Sequence, residues 1–265
     1  MGHEEIVRLG FFFGILSLML ICEVIFPMRK NNLISSYSRK FHNLGIVVFN
    51  TVTLRLVFPV VAVGVAQWCQ NNNIGFLHYL DIPTWLVVLI GFLILDLFIY
   101  LQHVLFHYLP LLWKIHRVHH ADMEYDVTTG LRFHPIEIIL SMIIKFAVII
   151  FIGAPVLSVI IFEIVLSSAA MFNHSNIKIP KIVDKILRLL FVTPDMHRVH
   201  HSIIPSETNT NFGFNFPWWD RLFGTYLAQP IEGHDKMIIG VNKFREPKNL
   251  HLHRMLIQPF IKDKK

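Results

Sequence analysis

The stretch PIEIILSMIIKFAVIIFIGAPVLSVIIFEIVLSSAAMFNH, residues 135–174, decides the fold. Its apolar part, about 136–172, is too long for one membrane crossing, which needs about 20 residues of helix. Gly153-Ala154-Pro155 interrupts it with a turn signal. The reading is therefore a hairpin of two short helices that returns to the side it left. His134 and His174 bracket the hairpin, so its return brings them near each other.

Three more apolar runs precede it, at about 8–27, 44–68 and 83–109, the second with Arg55 inside it. The run from Leu9 to Phe26 is long for a signal peptide and no A-x-A site follows it. It ends at Pro27-Met28-Arg29-Lys30, which reads as a stop at the membrane surface. The chain is 265 residues long, 54% hydrophobic and only 16% charged. An ordinary soluble domain carries about 25% charged residues, so the composition argues for a membrane protein.

Loop charges set the orientation. Residues 28–43 hold Arg29, Lys30, Arg39 and Lys40, whereas 69–82 hold no Lys or Arg. Residues 110–135 hold Lys114, Arg117 and Arg132, and the segment after 175 holds many more. The positive-inside rule then places the N-terminus outside and the loops after the first and third spans in the cytosol. Three spans and a hairpin carrying a cytosolic helical cap make an all-α integral membrane fold. The chain divides into an anchor of two spans (1–82), a catalytic region (83–226) and a basic tail (227–265). Lys178–Phe191 has amphipathic spacing suited to the interface.

The net charge of +6 fits loops beside anionic lipid headgroups. No basic stripe interleaved with aromatics is present, so nucleic acid is not the expected partner. The two cysteines, Cys22 and Cys69, lie in or beside apolar segments, which excludes CxxC-type metal chemistry.

Sixteen histidines nearly equal the 18 acidic residues, and ten of them fall between 103 and 201. His103 and His107 form HxxxH. His116, His119 and His120 form HxxHH in the string HRVHH, and His197, His200 and His201 repeat the same string. His134 and His174 stand singly. Residues i, i+3 and i+4 share a helix face, so HxxxH is expected to aim two imidazoles at one point and HxxHH three. Imidazole suits Fe, Zn, Cu and Ni. Ten ligands are too many for one ion and suit two. All ten fall on the cytosolic side in the topology above.

His42 and His78 read as packing residues, and His3, His234, His251 and His253 as solvated. Asp96, Tyr100, His103 and His107 line one helix face. Asp96 is placed either to accept the N–H of a ligating imidazole or to pair with Arg55. Glu137, Asp195 and Asp122 are weaker versions of the first idea. No Gly-x-Ser-x-Gly elbow, P-loop, GxGxxG, HExxH or HPGG haem sequence occurs. Redox work would take its electrons from a separate partner. A histidine-rich Zn or Ni transporter is the rival reading, but a transporter should carry ligands near the middle of several spans.

The motifs resemble the sterol desaturase/fatty acid hydroxylase superfamily. The resemblance rests on His103-x3-His107, WKIHRVHH (113–120), LRFHPIE (131–137), NHS (173–175), DMHRVHH (195–201) and NFGFNFPWWDRLFGTY (211–226). It covers about residues 85–226, and Trp113, Arg132, Asn215, Trp219, Asp220 and Thr225 belong to the matching segments. It implies two iron ions held by the ten histidines and O2 as co-substrate. It also implies oxidation of an unactivated C–H bond of a lipid from the bilayer, such as a sterol, acyl chain, alkylglycerol or carotenoid. The fused cytochrome b5 domain of some members has no counterpart in these motifs, which leaves the donor open; a separate electron-transfer protein of cytochrome b5 or ferredoxin type is the expected partner. A bacterial inner membrane or the endoplasmic reticulum would suit such a protein.

Overall fold

A computed structural model describes residues 3–30 and 36–262. Among these no β-strand forms, and the chain is a sequence of helices. Five stretches are long and apolar enough to cross a membrane. They contain α1 (His3–Ile25), α2 (Ser36–Val57) with α3 (Ala62–Asn71), α4 (Thr84–Tyr108), α6 (Pro135–Ile152) and α7 (Val156–Asn173). Between α4 and α6 lies α5 (Pro110–His120). Beyond α7 come only short helices: α8 (Lys181–Leu187), α9 (Pro194–His200), α10 (Pro205–Thr208), α11 (Trp218–Leu222), α12 (Gly233–Lys236) and α13 (Leu252–Ile257).

The expected hairpin is present. Its two helices have 18 residues each, or about 27 Å at 1.5 Å per residue. Gly153 ends α6 in the left-handed conformation, φ 67° and ψ 48°, where glycine carries no Cβ penalty. A Cβ there would also stand 2.4 Å from the carbonyl oxygen of Ile74. The hairpin tip and the loop after α3 therefore close on each other only because this position is bare. The core runs between α3, α4, α6 and α7 through Ala66, Leu77, Leu95, Ile149, Val159 and Phe162.

The second apolar run differs from its reading as one span over 44–68. The helix starts earlier, at Ser36, and stops at Val57, and a separate helix begins at Ala62. Pro59 lies in the break. Proline has no N–H to continue the ladder, and its ring clashes with the preceding turn.

The sharpest joint lies between α4 and α5. Leu109 is extended (φ −90°, ψ 118°) because it precedes Pro110, and Pro110 opens α5. One residue thus turns the chain, so that α5 packs back along the histidine end of α4. Behind α5, Arg39 of α2 pairs with Asp122 (2.7 Å), Glu124 (3.2 Å) and Asp126, all buried. Arg132, fully buried, donates from Nε to the Val118 carbonyl (2.8 Å).

Residues after 227 are packed against this frame. Met255 is buried with Ile46 and Val118, and Arg117 donates to the Gln258 carbonyl (3.0 Å). Around α8, Ile182, Ile186, Leu189, Leu190 and Phe191 are exposed, the apolar face that amphipathic spacing requires.

Candidate metal centre

Nine of the ten singled-out histidines converge into two groups. His103 and His107 of α4, His116 and His120 of α5, and His200 of α9 form the first. His119 of α5, His174 at the end of α7, His197 of α9 and His201, the residue that caps α9, form the second. Within each group the ring nitrogens lie within 4.8 Å of one another, and all nine residues are buried. The groups adjoin: the rings of His120 and His201 stack at 4.5 Å.

The expectation that each HxxHH aims three imidazoles at one point is corrected here. Adjacent residues on a helix point about 100° apart, so a consecutive pair of histidines straddles two sites. In α5 the pair His116 and His120 serves the first group and His119 the second. In α9 the allocation is reversed, with His197 and His201 in the second group and His200 in the first.

Hydrogen bonds fix which nitrogen faces inward. His103 Nδ1 donates to the Phe212 carbonyl (2.7 Å), His200 Nδ1 to the Thr210 carbonyl (2.7 Å) and His174 Nδ1 to the Ala170 carbonyl (2.8 Å). A carbonyl only accepts, so the proton sits on Nδ1 and Nε2 carries a bare lone pair. His116 Nδ1 donates to Glu137 Oε1 at 2.6 Å, with the same result. Yet His103 Nε2 lies 3.1 Å from both His116 Nε2 and His200 Nε2. Three lone pairs face one another with no proton between them, an arrangement that a cation relieves. The second group repeats the spacing, with His174 Nε2 at 3.1 Å from His119 Nε2 and 3.2 Å from His201 Nε2. Edges of this length suit donors at right angles around an ion about 2.1 Å from each nitrogen.

Several buried ring nitrogens lack a hydrogen-bond partner: His107 Nε2, His119 Nδ1, His201 Nδ1 and both nitrogens of His120 and His197. Buried polar atoms are otherwise nearly always paired, so His107 Nε2 and one ring nitrogen each of His120 and His197 are left for a bound ion, beside the inward Nε2 atoms of His119 and His201. Burial, with repulsion between neighbouring imidazoles, pushes His119, His120, His197, His200 and His201 well below the usual histidine pKa. Burial pushes His174 down to about 3. All stay neutral near pH 7, the form that ligates.

His134 is the one left out. Its Nδ1 accepts from the Ile136 N–H (3.2 Å) and its Nε2 donates to the Leu256 carbonyl (3.2 Å). It caps α6, and neither nitrogen remains for a metal. Of the four acids, only Glu137 meets a ligating imidazole. Asp96 accepts from Asn215 (2.8 Å) and from the Trp219 indole (2.7 Å), because it stands two helical turns from His103. Its alternative partner, Arg55, pairs instead with Glu5 (3.1 Å). Asp195 pairs with Arg198, and Asp122 belongs to the Arg39 network. His234, expected to be solvated, is buried beside Asp195 and pushed down to about 4 by desolvation.

The segment 209–225 contributes what side-chain spacing could not reveal. Its own carbonyls at Thr210 and Phe212 hold ligands, and Asn209 Oδ1 accepts from His107 Nδ1 (3.2 Å). Asp220 pins this loop by accepting from the backbone N–H of Phe212 (2.8 Å) and Gly213 (2.9 Å) and from the Thr225 hydroxyl (2.7 Å). A cavity of about 390 Å³ opens beside the first group, walled by Phe106, Phe133 and Phe214 as well as His103 and His116.

Residues 88–225 match the family model for fatty acid hydroxylase. The chain belongs to that family. It is 31% identical to the ornithine lipid hydroxylase of Rhizobium tropici over 65% of this chain and 51% of that protein. It is 30% identical to the alkylglycerol monooxygenase of Danio rerio over 62% of this chain and 35% of the relative. The cholesterol 25-hydroxylase of Rattus norvegicus is 22% identical over 84% of this chain and 74% of its own length. The chain thus spans about half or less of the length of the first two relatives. No solved structure matches it significantly.

Proposed function

We propose that the chain is an O2-dependent, di-iron oxidoreductase that hydroxylates or desaturates an unactivated C–H bond of a membrane lipid. The observation that carries the reading is the set of bare imidazole lone pairs 3.1 Å apart at His103, opening onto an apolar cavity among membrane helices. Two iron ions held by the two histidine groups would supply O2 activation and the oxidant. Nine protein donors exceed the roughly three that a catalytic zinc site uses. The hydroxylase and monooxygenase names of the relatives support the same class.

The chain's own residues have definable tasks. The carbonyls of Ala170, Thr210 and Phe212 and the carboxylate of Glu137 orient imidazoles and set their tautomers. The neutral ligands add no negative charge to the site. Phe106, Phe133 and Phe214 exclude water from the reacting carbon. His174 and the pair His103 and His107 lie at one end of their spans, so a lipid reaches them without leaving the bilayer. A transporter of Zn or Ni would carry its donors near mid-span instead. The loop charges favour this end being cytosolic and the N-terminus outside. They also suit an acidic electron donor of cytochrome b5 or ferredoxin type.

The test is lipid profiling under 18O2 of a strain lacking this chain, complemented with wild type or with His119→Ala. An 18O-labelled or newly unsaturated lipid with wild type only is the expected result. Identical profiles in the two strains would overturn the proposal.

A further inference from the structure

The cavity beside His103 and His116 ends at three charged side chains inside the bundle. Glu163 of α7 pairs through Oε2 with Arg8 of α1 (2.7 Å) and through Oε1 with Lys145 of α6 (2.9 Å). A second void of about 310 Å³, between α1, α2 and α7, also includes Arg8 and Glu163 in its wall. The triad therefore forms a neck between an inner chamber at the histidines and an outer vestibule.

The charge at this neck does not balance. Two cations face one carboxylate, and the Lys145 side chain is only 14% exposed. Of the other charged residues lining the two voids, Glu5 pairs with Arg55 and also faces Arg8, and Glu137 lies at the histidine end against His116. A surplus charge within membrane-spanning helices is costly and marks a ligand or ion pathway. Arg8 also lies outside the residues that match the family model.

The geometry points to this neck as the seat for the anionic group of an amphiphile, a carboxylate or phosphate, whose chain extends through the cavity towards His103 and His116. Glu137 and Lys145 are eight residues apart on α6, a rise of about 12 Å. That is shorter than an extended hexadecyl chain, so a carbon within the chain stands at the histidines. This consequence for regiochemistry rests on the oxygenase reading, whereas the binding itself does not.

Binding to the purified full chain in an uncharged maltoside detergent tests the proposal, with palmitate, hexadecyl phosphate, hexadecanol and inorganic phosphate as probes. Palmitate and hexadecyl phosphate should bind at least about tenfold more tightly than hexadecanol, and inorganic phosphate far more weakly than either. Lys145→Met and Arg8→Gln should each remove most of that preference. Hexadecanol binding and bound metal should stay unchanged, so the outcome is separate from whether the chain oxidises lipids. The proposal is overturned if hexadecanol binds as tightly as palmitate. It is equally overturned if inorganic phosphate binds as tightly as hexadecyl phosphate, or if Arg8→Gln, in folded protein with its metal retained, weakens all probes alike.

Discussion

HRVHH occurs twice, at 116–120 and at 197–201, and the two copies do opposite things. The α5 copy gives two imidazoles to the first group and one to the second, and the α9 copy gives one and two. Identical letters acquire different roles because each helix lies across the boundary between two sites. A site here is not a motif. Each is assembled from three separate segments, and the loss of α5 or α9 should reach both.

The largest effects are expected where the two copies are set against each other. His119→Ala and His197→Ala remove ligands of the second group from different motifs, and His120→Ala and His200→Ala do the same for the first. Each should lower lipid oxidation by at least about 100-fold, since both ions would serve one reaction. The metal left behind should then sort by group. The residual iron of His119→Ala should share its spectroscopic signature with that of His197→Ala, not with that of its neighbour His120→Ala.

A smaller effect tests how ligands are held. Glu137 accepts from His116, so Glu137→Gln should weaken metal binding by about 10- to 100-fold without abolishing it. Metal titration of the purified variant reads this directly. An unchanged affinity would mean that the carboxylate does not orient the imidazole.

The smallest effect concerns the histidine that stays outside. His134→Ala should leave metal content and activity near wild type. It should lower stability by about 0.5–2 kcal/mol through the lost cap, measured by denaturant unfolding. Loss of an ion in this variant would place His134 among the ligands after all.

Much of this architecture was legible in the residues. The hairpin followed from the length of 136–172 and from Gly153, whose left-handed conformation ends α6. The grouping of nine histidines at one end of the bundle followed from spacing and loop charge. The partition between the groups did not, because it depends on how α5 and α9 cross, and spacing along one helix carries no information about that. His134 shares the bracketing position of His174, yet the Leu256 carbonyl from a distant segment claims its second nitrogen. The acceptors at Thr210 and Phe212 are backbone atoms, which no residue type reveals. Pro59 was visible, but the apolar run around it masked the break it makes in 44–68.

Iron counted per chain in two double variants tests the central claim, that the two sites cut across the two motifs. Wild type should hold about two ions, His119→Ala/His197→Ala about one, and His119→Ala/His120→Ala almost none. If the pair from one motif keeps one ion while the pair from two motifs loses both, each motif is its own site and the account is contradicted.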